Sequence, residues 1–236
     1  MKRTIIIGDL HGCYDEALDL LDKCAVTSSD DVIFVGDLVD RGPKRRECVE
    51  LAMQHRSILG NHEEKQLIYR NNPKMEMSED HAKTWKALSK EHYYYFRGLP
   101  LYIRIPESNA VVVHAGVLPN LPIENQPPQT LLHCQNIKPP GRKSHWPSRA
   151  PSDFLFWGNF WKGPERIIFG HTVLERPLVT EWAVGIDTGC VFGHSLTAVI
   201  LPDWEIVSVP ARKVHHVTRH RQIAQYPVMD GVLCYS

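Results

Sequence analysis

Five times along this chain a short apolar run ends in a glycine-containing cluster of aspartate, histidine or asparagine. Thr4–Ile7 runs into Gly8-Asp9-Leu10-His11-Gly12, and Val32–Val35 into Gly36-Asp37-Leu38-Val39-Asp40-Arg41-Gly42. Ile58-Leu59 runs into Gly60-Asn61-His62-Glu63, Val111–Val113 into His114-Ala115-Gly116, and Ile167–Phe169 into Gly170-His171-Thr172. Glycine lets a backbone turn sharply and approach a ligand closely. Carboxylate, imidazole and amide donors without thiolates suit Mn2+, Fe or Zn2+ in a working site better than a structural zinc. A carboxylate shared between two such clusters can bridge two metals roughly 3.5–4 Å apart, the geometry used for in-line phosphoryl displacement. Ligand chemistry assigns Asp9, His11 and Asp37 to one metal and Asp37, Asn61, His114 and His171 to the other. Spacing alone does not identify the bridging residue.

Residues this far apart meet only if a sheet gathers them, and in open α/β sheets the carboxyl ends of the strands do so along one edge. The chain reads accordingly. Thr4–Ile7 is a strand, and Tyr14–Cys24 a helix with Ala17, Leu18, Leu20, Leu21 and Cys24 clustered mainly on one face. Val32–Val35 is a strand, Arg45–His55 a helix carrying Cys48, Val49, Leu51 and Ala52, Arg56–Leu59 a short strand, and Asn61–Arg70 the start of a helix. This alternation implies βαβ units and a largely parallel sheet. Met75–Phe96 reads as a polar helical insertion ending in Tyr93-Tyr94-Tyr95-Phe96, followed by strands Tyr102–Ile105 and Ala110–Val113. Eight of the 17 prolines fall between Pro119 and Pro151, which predicts a mostly irregular loop of the kind that forms lids or binding walls. Arg166–Phe169, Ala183–Ile186, Ser195–Leu201 and Glu205–Val209 complete the β segments. Residues 1–212 read as one domain and residues 213–236 as a C-terminal tail carrying His215, His216 and His220.

Composition narrows the function classes. The 236 residues are 43% hydrophobic and 23% charged, which is ordinary for a folded soluble protein. Lys plus Arg and Asp plus Glu number 27 each, so no global field favours nucleic acid or an anionic membrane. Any preference for phosphate is local. The six cysteines include no C-x-x-C pair, which argues against a disulfide scaffold or a Cys-rich zinc site. The Ile5-Ile6-Ile7 run is too short for a signal peptide, and no stretch approaches a membrane span. The expectation is a reduced, cytoplasmic protein.

The first three clusters resemble the signature motifs of the phosphoprotein phosphatase family of metallophosphoesterases, and His114-Ala115-Gly116 and Gly170-His171 resemble its two later histidine motifs. Asp187-Thr188-Gly189-Cys190, with Leu196-Thr197-Ala198, is similar to bacterial members, including symmetrical diadenosine tetraphosphate hydrolases. The likeness runs from about residue 5 to about residue 210. It implies a four-layer α/β/β/α sandwich of two mixed sheets with two divalent metals at one sheet edge, most simply Mn2+. It also implies metal ligation by Asp9, His11, Asp37, Asn61, His114 and His171. His62 would be the general acid oriented by Asp40, and Arg41 would hold phosphate oxygens. The physics fits these roles. A carboxylate beside an imidazole favours its protonated form, a guanidinium matches two phosphate oxygens, and metal-bound water ionises far more readily than free water. A second substrate arginine has no matching segment; of Arg142, Arg149 and Arg166, Arg149 is taken as the candidate.

Residues outside the motifs have plainer readings. Glu63 and Glu64 read as first-turn residues favoured by the helix dipole. His55, His81, His92, His133 and His145 read as ordinary surface or loop histidines, Trp157 and Trp161 as core, and Cys13 as a small buried residue. The motifs support a phosphomonoesterase acting on phosphoserine or phosphothreonine in proteins. An alternative is a dinucleoside polyphosphate hydrolase with the same site. A non-catalytic scaffold is the third reading, disfavoured because all six ligands are present. Substrate choice is expected to lie in Met75–Phe96 and Pro119–Pro151.

Overall fold

The structure is a computed structural model that describes residues 2–138, 144–145 and 154–217. The elements are, in chain order, β1 Thr4–Ile7, α1 Tyr14–Lys23, β2 Asp31–Phe34, α2 Arg45–Ala52, β3 Arg56–Ser57, α3 Asn61–Asn71, α4 Glu79–Ala87, α5 Lys90–Gly98, β4 Tyr102–Ile105 and β5 Ala110–Val113. There follow α6 Pro128–His133, β6 Asn136–Ile137, β7 Ser144–His145, β8 Leu155–Phe156, β9 Arg166–Phe169, β10 Leu178–Val179, β11 Ala183–Gly185, β12 Ser195–Leu201 and β13 Glu205–Pro210.

Two five-stranded sheets carry the architecture, in the orders β13-β12-β1-β2-β3 and β10-β11-β9-β5-β4. Both are mixed. In the first, β1, β2 and β3 are parallel while β12 runs antiparallel to β1, with Ile6 opposite both Val199 and Ile33. In the second, β5, β9 and β11 are parallel and β4 and β10 run antiparallel at the edges.

Strand side chains alternate between faces, and here both faces are apolar. Ile6, Ile33, Val35, Val112, Ile168, Val184 and Val199 form the core between the sheets. Their neighbours Ile5, Ile7 and Phe34 face outward onto Ala17, Leu20, Val49 and Phe96 of the helical layer. Val111, Val113, Ile167 and Phe169 face the other way, onto Leu131, Trp157 and Trp161. This is the four-layer α/β/β/α sandwich expected from the motifs. Its second outer layer is thin, with the six-residue α6 and the two buried tryptophans covering the sheet.

Two regions are more structured than their composition suggests. The insertion is two helices, because Leu88 and Ser89 are extended between α4 and α5. Serines stand at both N-caps: Ser78 Oγ accepts the His81 N–H at 3.3 Å, and the Ser89 N–H donates to His92 Nδ1 at 3.0 Å. In the proline-rich stretch, Pro128 begins α6 in the position where its fixed φ and missing N–H cost least, and Leu131 and Leu132 are buried. Strands β6, β7 and β8 form a small third sheet.

The two sheets are held to each other by this central core. Ile168→Ala is expected to lower unfolding free energy by about 2–5 kcal/mol, the usual cost of a large-to-small change in a closed core. Urea denaturation followed by circular dichroism measures it; a loss below 1 kcal/mol would contradict the packing described.

Candidate active site

The parallel strands of both sheets deliver their next residues to one place. His114 follows β5 and donates its Nδ1–H to Val35 O after β2 at 2.8 Å. The His171 N–H, after β9, reaches both oxygens of Asp9, after β1, at 3.2 and 3.1 Å. Two glycines make this approach possible. A Cβ on Gly170 would collide with the Asp9 carboxylate, and one on Gly60 with the Asp37 backbone and side chain. Five of the nine non-glycine residues with positive φ among the described residues lie here: His11, Asp37, Asp40, Arg41 and His171. Such backbone strain persists only where its surroundings over-determine it, and it gathers at functional sites.

Asp37 sits between two imidazole clusters. Its Oδ2 is 3.3 Å from His11 Nε2, and its Oδ1 is 3.4 Å from His114 Nε2. Asn61 Oδ1 lies 2.9 Å from both His114 Nε2 and His171 Nδ1. His11 commits its Nδ1–H to Val39 O at 2.8 Å, as His114 does to Val35, so in both rings Nε2 presents a lone pair inward. Burial holds His11, His114 and His171 below the ordinary imidazole pKa. Burial acts on Asp37 in the opposite sense. Interaction with His114, His62, His11 and Arg41 outweighs it and holds this carboxyl well below the usual range. Asp9 is raised by burial, then by Asp187 and Asp37; burial pushes Asp187 up to about 6.

This donor set suits the divalent metal ions that the fold family implies. Carboxylate, amide and imidazole lone pairs crowded within about 3 Å repel one another unless a cation lies among them. In His11 and His114 the inward nitrogen is backed by an N–H bond from the other ring nitrogen to a main-chain carbonyl, the usual support of a ligating histidine. A cation already stands there: the Arg41 guanidinium lies against His11 Nε2 and 3.1 Å from His62 Nε2.

Beside the clusters, His62 Nδ1 donates to Asp40 Oδ2 at 2.7 Å, while the His62 main-chain N–H donates to Asp37 Oδ1 at 3.0 Å. Asp40 is fully buried. Burial alone would raise its pKa, but hydrogen bonds and charge from His62, with Thr84 and His81, bring it below the usual value.

The structure corrects several sequence readings. Glu63 does lie in the first turn of α3, but it is buried, and its carboxylate accepts the N–H groups of Asp37 (2.8 Å), Leu38 (2.9 Å), Val39 (3.2 Å) and Gly60 (3.1 Å). Four donors and no acceptor define the anion, although burial and the Asp37 and Asp40 charges push its pKa up to about 8. Glu64 pairs with His133 at 2.8 Å and binds Gln129, tying α6 to α3. His81 is no plain surface histidine, since its Nε2 lies 3.5 Å from Asp40. His215 is held by Glu16 at 2.8 Å, so the first part of the tail folds back on α1. His216 also binds the chain, its N–H reaching Val191 O at 2.9 Å.

Among the described residues, side chains with donor atoms within 4.8 Å of one another include His11, Asp37 and His62 on one side of the site and Asp37, His114 and His171 on the other, and the Asp9 carboxylate accepts the His171 main-chain N–H. Arg166 is remote from the site, stacked 4.2 Å from the Trp204 ring and bonded to Thr180 O at 2.5 Å. Arg142, Arg149, His220 and Cys234 lie outside the described residues.

A fold of two mixed sheets whose joined edge holds aspartate, asparagine and histidine around one buried carboxylate is that of a metallophosphoesterase. The chain belongs to the calcineurin-like phosphoesterase family, whose model matches residues 2–197. It is a hydrolase of phosphoester or phosphoanhydride bonds. It is 32% identical over 235 residues to the bis(5'-nucleosyl)-tetraphosphatase PrpE, designated asymmetrical, of Halalkalibacterium halodurans, covering 88% of this chain and 94% of that protein. The protein of the same name from Bacillus subtilis is 29% identical over 249 residues, covering 92% and 98%. A crystal structure of a candidate diadenosine tetraphosphatase superposes with a TM-score of 0.80 at 32% identity, covering 89% of this chain and 94% of that one. A protein serine/threonine phosphatase from Saccharomyces cerevisiae shares the fold at a TM-score of 0.61 and 17% identity.

Glu63→Gln turns an amide NH2 toward main-chain N–H groups that now bond a carboxylate. Hydrogen bonds to a charged group contribute about 1.5–3 kcal/mol each, so the variant is expected to lose roughly 3 kcal/mol of stability in chelator-treated protein. Unchanged urea midpoints would show that Glu63 does not anchor the Asp37 turn.

Proposed function

We propose that this protein hydrolyses bis(5'-nucleosyl) tetraphosphates, using divalent metals held by Asp9, His11, Asp37, Asn61, His114 and His171. The observation that carries the site assignment is Asp37, one carboxylate with an oxygen turned to each imidazole cluster. The tetraphosphate substrate is supported by relatives near 30% identity along almost the whole chain. Their designation is asymmetrical, where the motifs had suggested the symmetrical type. Serine/threonine phosphatase activity has weaker support, because a likeness at 17% identity speaks for the fold alone.

When bound, the metals supply charge to the phosphoryl oxygens and acidify a water for attack; oxygen and nitrogen donors without thiolates favour Mn2+, with Fe or Zn2+ as substitutes. The chain's own residues do the rest. Arg41 sits beside both clusters and offers its planar fork to non-bridging phosphate oxygens. His62 gives the proton at Nε2 to the leaving phosphate oxygen as the P–O bond breaks, while its Nδ1–H stays on Asp40. Water has then been added across one anhydride bond. The described cysteines are all free and buried, in keeping with a reducing compartment such as the cytoplasm. No helix among the described residues is long and apolar enough to cross a membrane.

With Mn2+, diadenosine tetraphosphate is expected to yield a nucleoside triphosphate and a monophosphate, resolved by anion-exchange chromatography. Phosphopeptides should turn over far more slowly; the reverse ranking would overturn the substrate assignment. Chelation should abolish turnover and added Mn2+ restore it. Asp37→Asn and His62→Asn should each lower kcat by about 100-fold or more with unchanged circular dichroism.

A further inference from the structure

Helix α4 belongs to the insertion that the sequence offered as a substrate-selecting element, yet its Thr84 and Asp80 side chains turn toward catalytic groups. Thr84 is fully buried in mid-helix. A threonine there loses side-chain freedom and ordinarily bonds its hydroxyl back to the preceding turn. Thr84 instead donates its hydroxyl to Asp40 Oδ1. Gln66 Nε2 reaches the same oxygen at 3.0 Å, and Asp40 Oδ2 takes His62 Nδ1 at 2.7 Å with His81 Nε2 at 3.5 Å. One turn earlier, Asp80 Oδ2 accepts the Arg41 main-chain N–H at 2.8 Å, and its other oxygen pairs with Arg45. Asp40 and Arg41 both have φ of 65°, a conformation non-glycine residues hold only under constraint. The helix therefore grips the strained dipeptide from two directions, by carboxylate and by backbone. The opposite side of α4 is ordinary: Lys83 and Glu79 are exposed and pair with each other at 2.7 Å.

We propose that Thr84 is a positioning residue for catalysis, fixing through Asp40 the orientation of the His62 ring that protonates the leaving oxygen. An Asp40 carboxylate free to rotate about its own axis would let His62 Nδ1, and with it the Nε2 proton, swing off the line of the breaking bond. The inference rests on the reading of His62 as proton donor. It adds that the insertion serves the chemical step.

Proton donation matters most when the leaving group is poor, so two aryl phosphates report on it without depending on the nucleotide assignment. Phenyl phosphate releases a much more basic oxygen than p-nitrophenyl phosphate. In the full-length Mn2+-loaded protein, Thr84→Val is expected to lower kcat on phenyl phosphate by about tenfold or more, part of the 10²–10⁴ that a general acid typically supplies. On p-nitrophenyl phosphate the loss should stay under about threefold, with KM little changed on either ester. Thr84→Ser keeps the hydroxyl and should restore the phenyl phosphate rate; Lys83→Ala should match wild type throughout. Equal losses on both esters, no loss on either, or failure of Thr84→Ser to rescue would overturn the proposal. His62→Asn, measured alongside, separates the two ways of being wrong. If it shows no leaving-group dependence, the acid role itself fails and takes the proposal with it. If it shows that dependence and Thr84→Val does not, only the role of Thr84 fails.

Discussion

A single buried carboxylate, Asp37, sets the terms for the rest of the molecule. Its two oxygens lie 3.3 and 3.4 Å from imidazole nitrogens brought in by opposite sheets. A charge so placed is expensive without partners. Here His114, His62, His11 and Arg41 keep it ionised against its own burial. Its backbone is equally committed. Asp37 takes φ of 49°, and its N–H bonds the Glu63 carboxylate at 2.8 Å. Glu63 in turn gathers the next two N–H groups and that of Gly60, so the turn after β2 and the start of α3 are one rigid unit.

That unit explains why the fold needs two sheets. Neither sheet alone brings enough donors to Asp37: β1, β2 and β3 supply Asp9, His11, Asp37 and Asn61, while His114 and His171 come from β5 and β9. The core between the sheets fixes their separation, and interiors packed this closely transmit small displacements instead of absorbing them. Gly170 and Gly60 stand where the facing segments leave no room for a Cβ. The helical layer contributes too, since α3 carries His62 and Gln66, and α4 carries Thr84, all converging on Asp40.

Much of this was legible in the sequence, for identifiable reasons. Strands β1, β4, β5, β9 and β12 match their expected bounds because buried β-branched runs stopped by glycine and polar residues leave little ambiguity. The motif residues follow directly from those ends. Glu63 was missed because a glutamate in a first helical turn looks the same in sequence whether it faces solvent or four main-chain N–H groups. Thr84, Asp80 and His81 were missed because contacts across some forty residues leave no periodic trace. The insertion was seen as helical but not as two helices, the break at Leu88-Ser89 being a matter of local backbone conformation.

The central claim is that Asp37 lies between two cations. Anomalous scattering from a Mn2+-loaded crystal, recorded near the manganese edge, tests it most directly. The account predicts two peaks roughly 3.5–4 Å apart, one on each side of the Asp37 carboxylate and both within coordination distance of it. One peak only, or two that leave Asp37 out of contact, would contradict it.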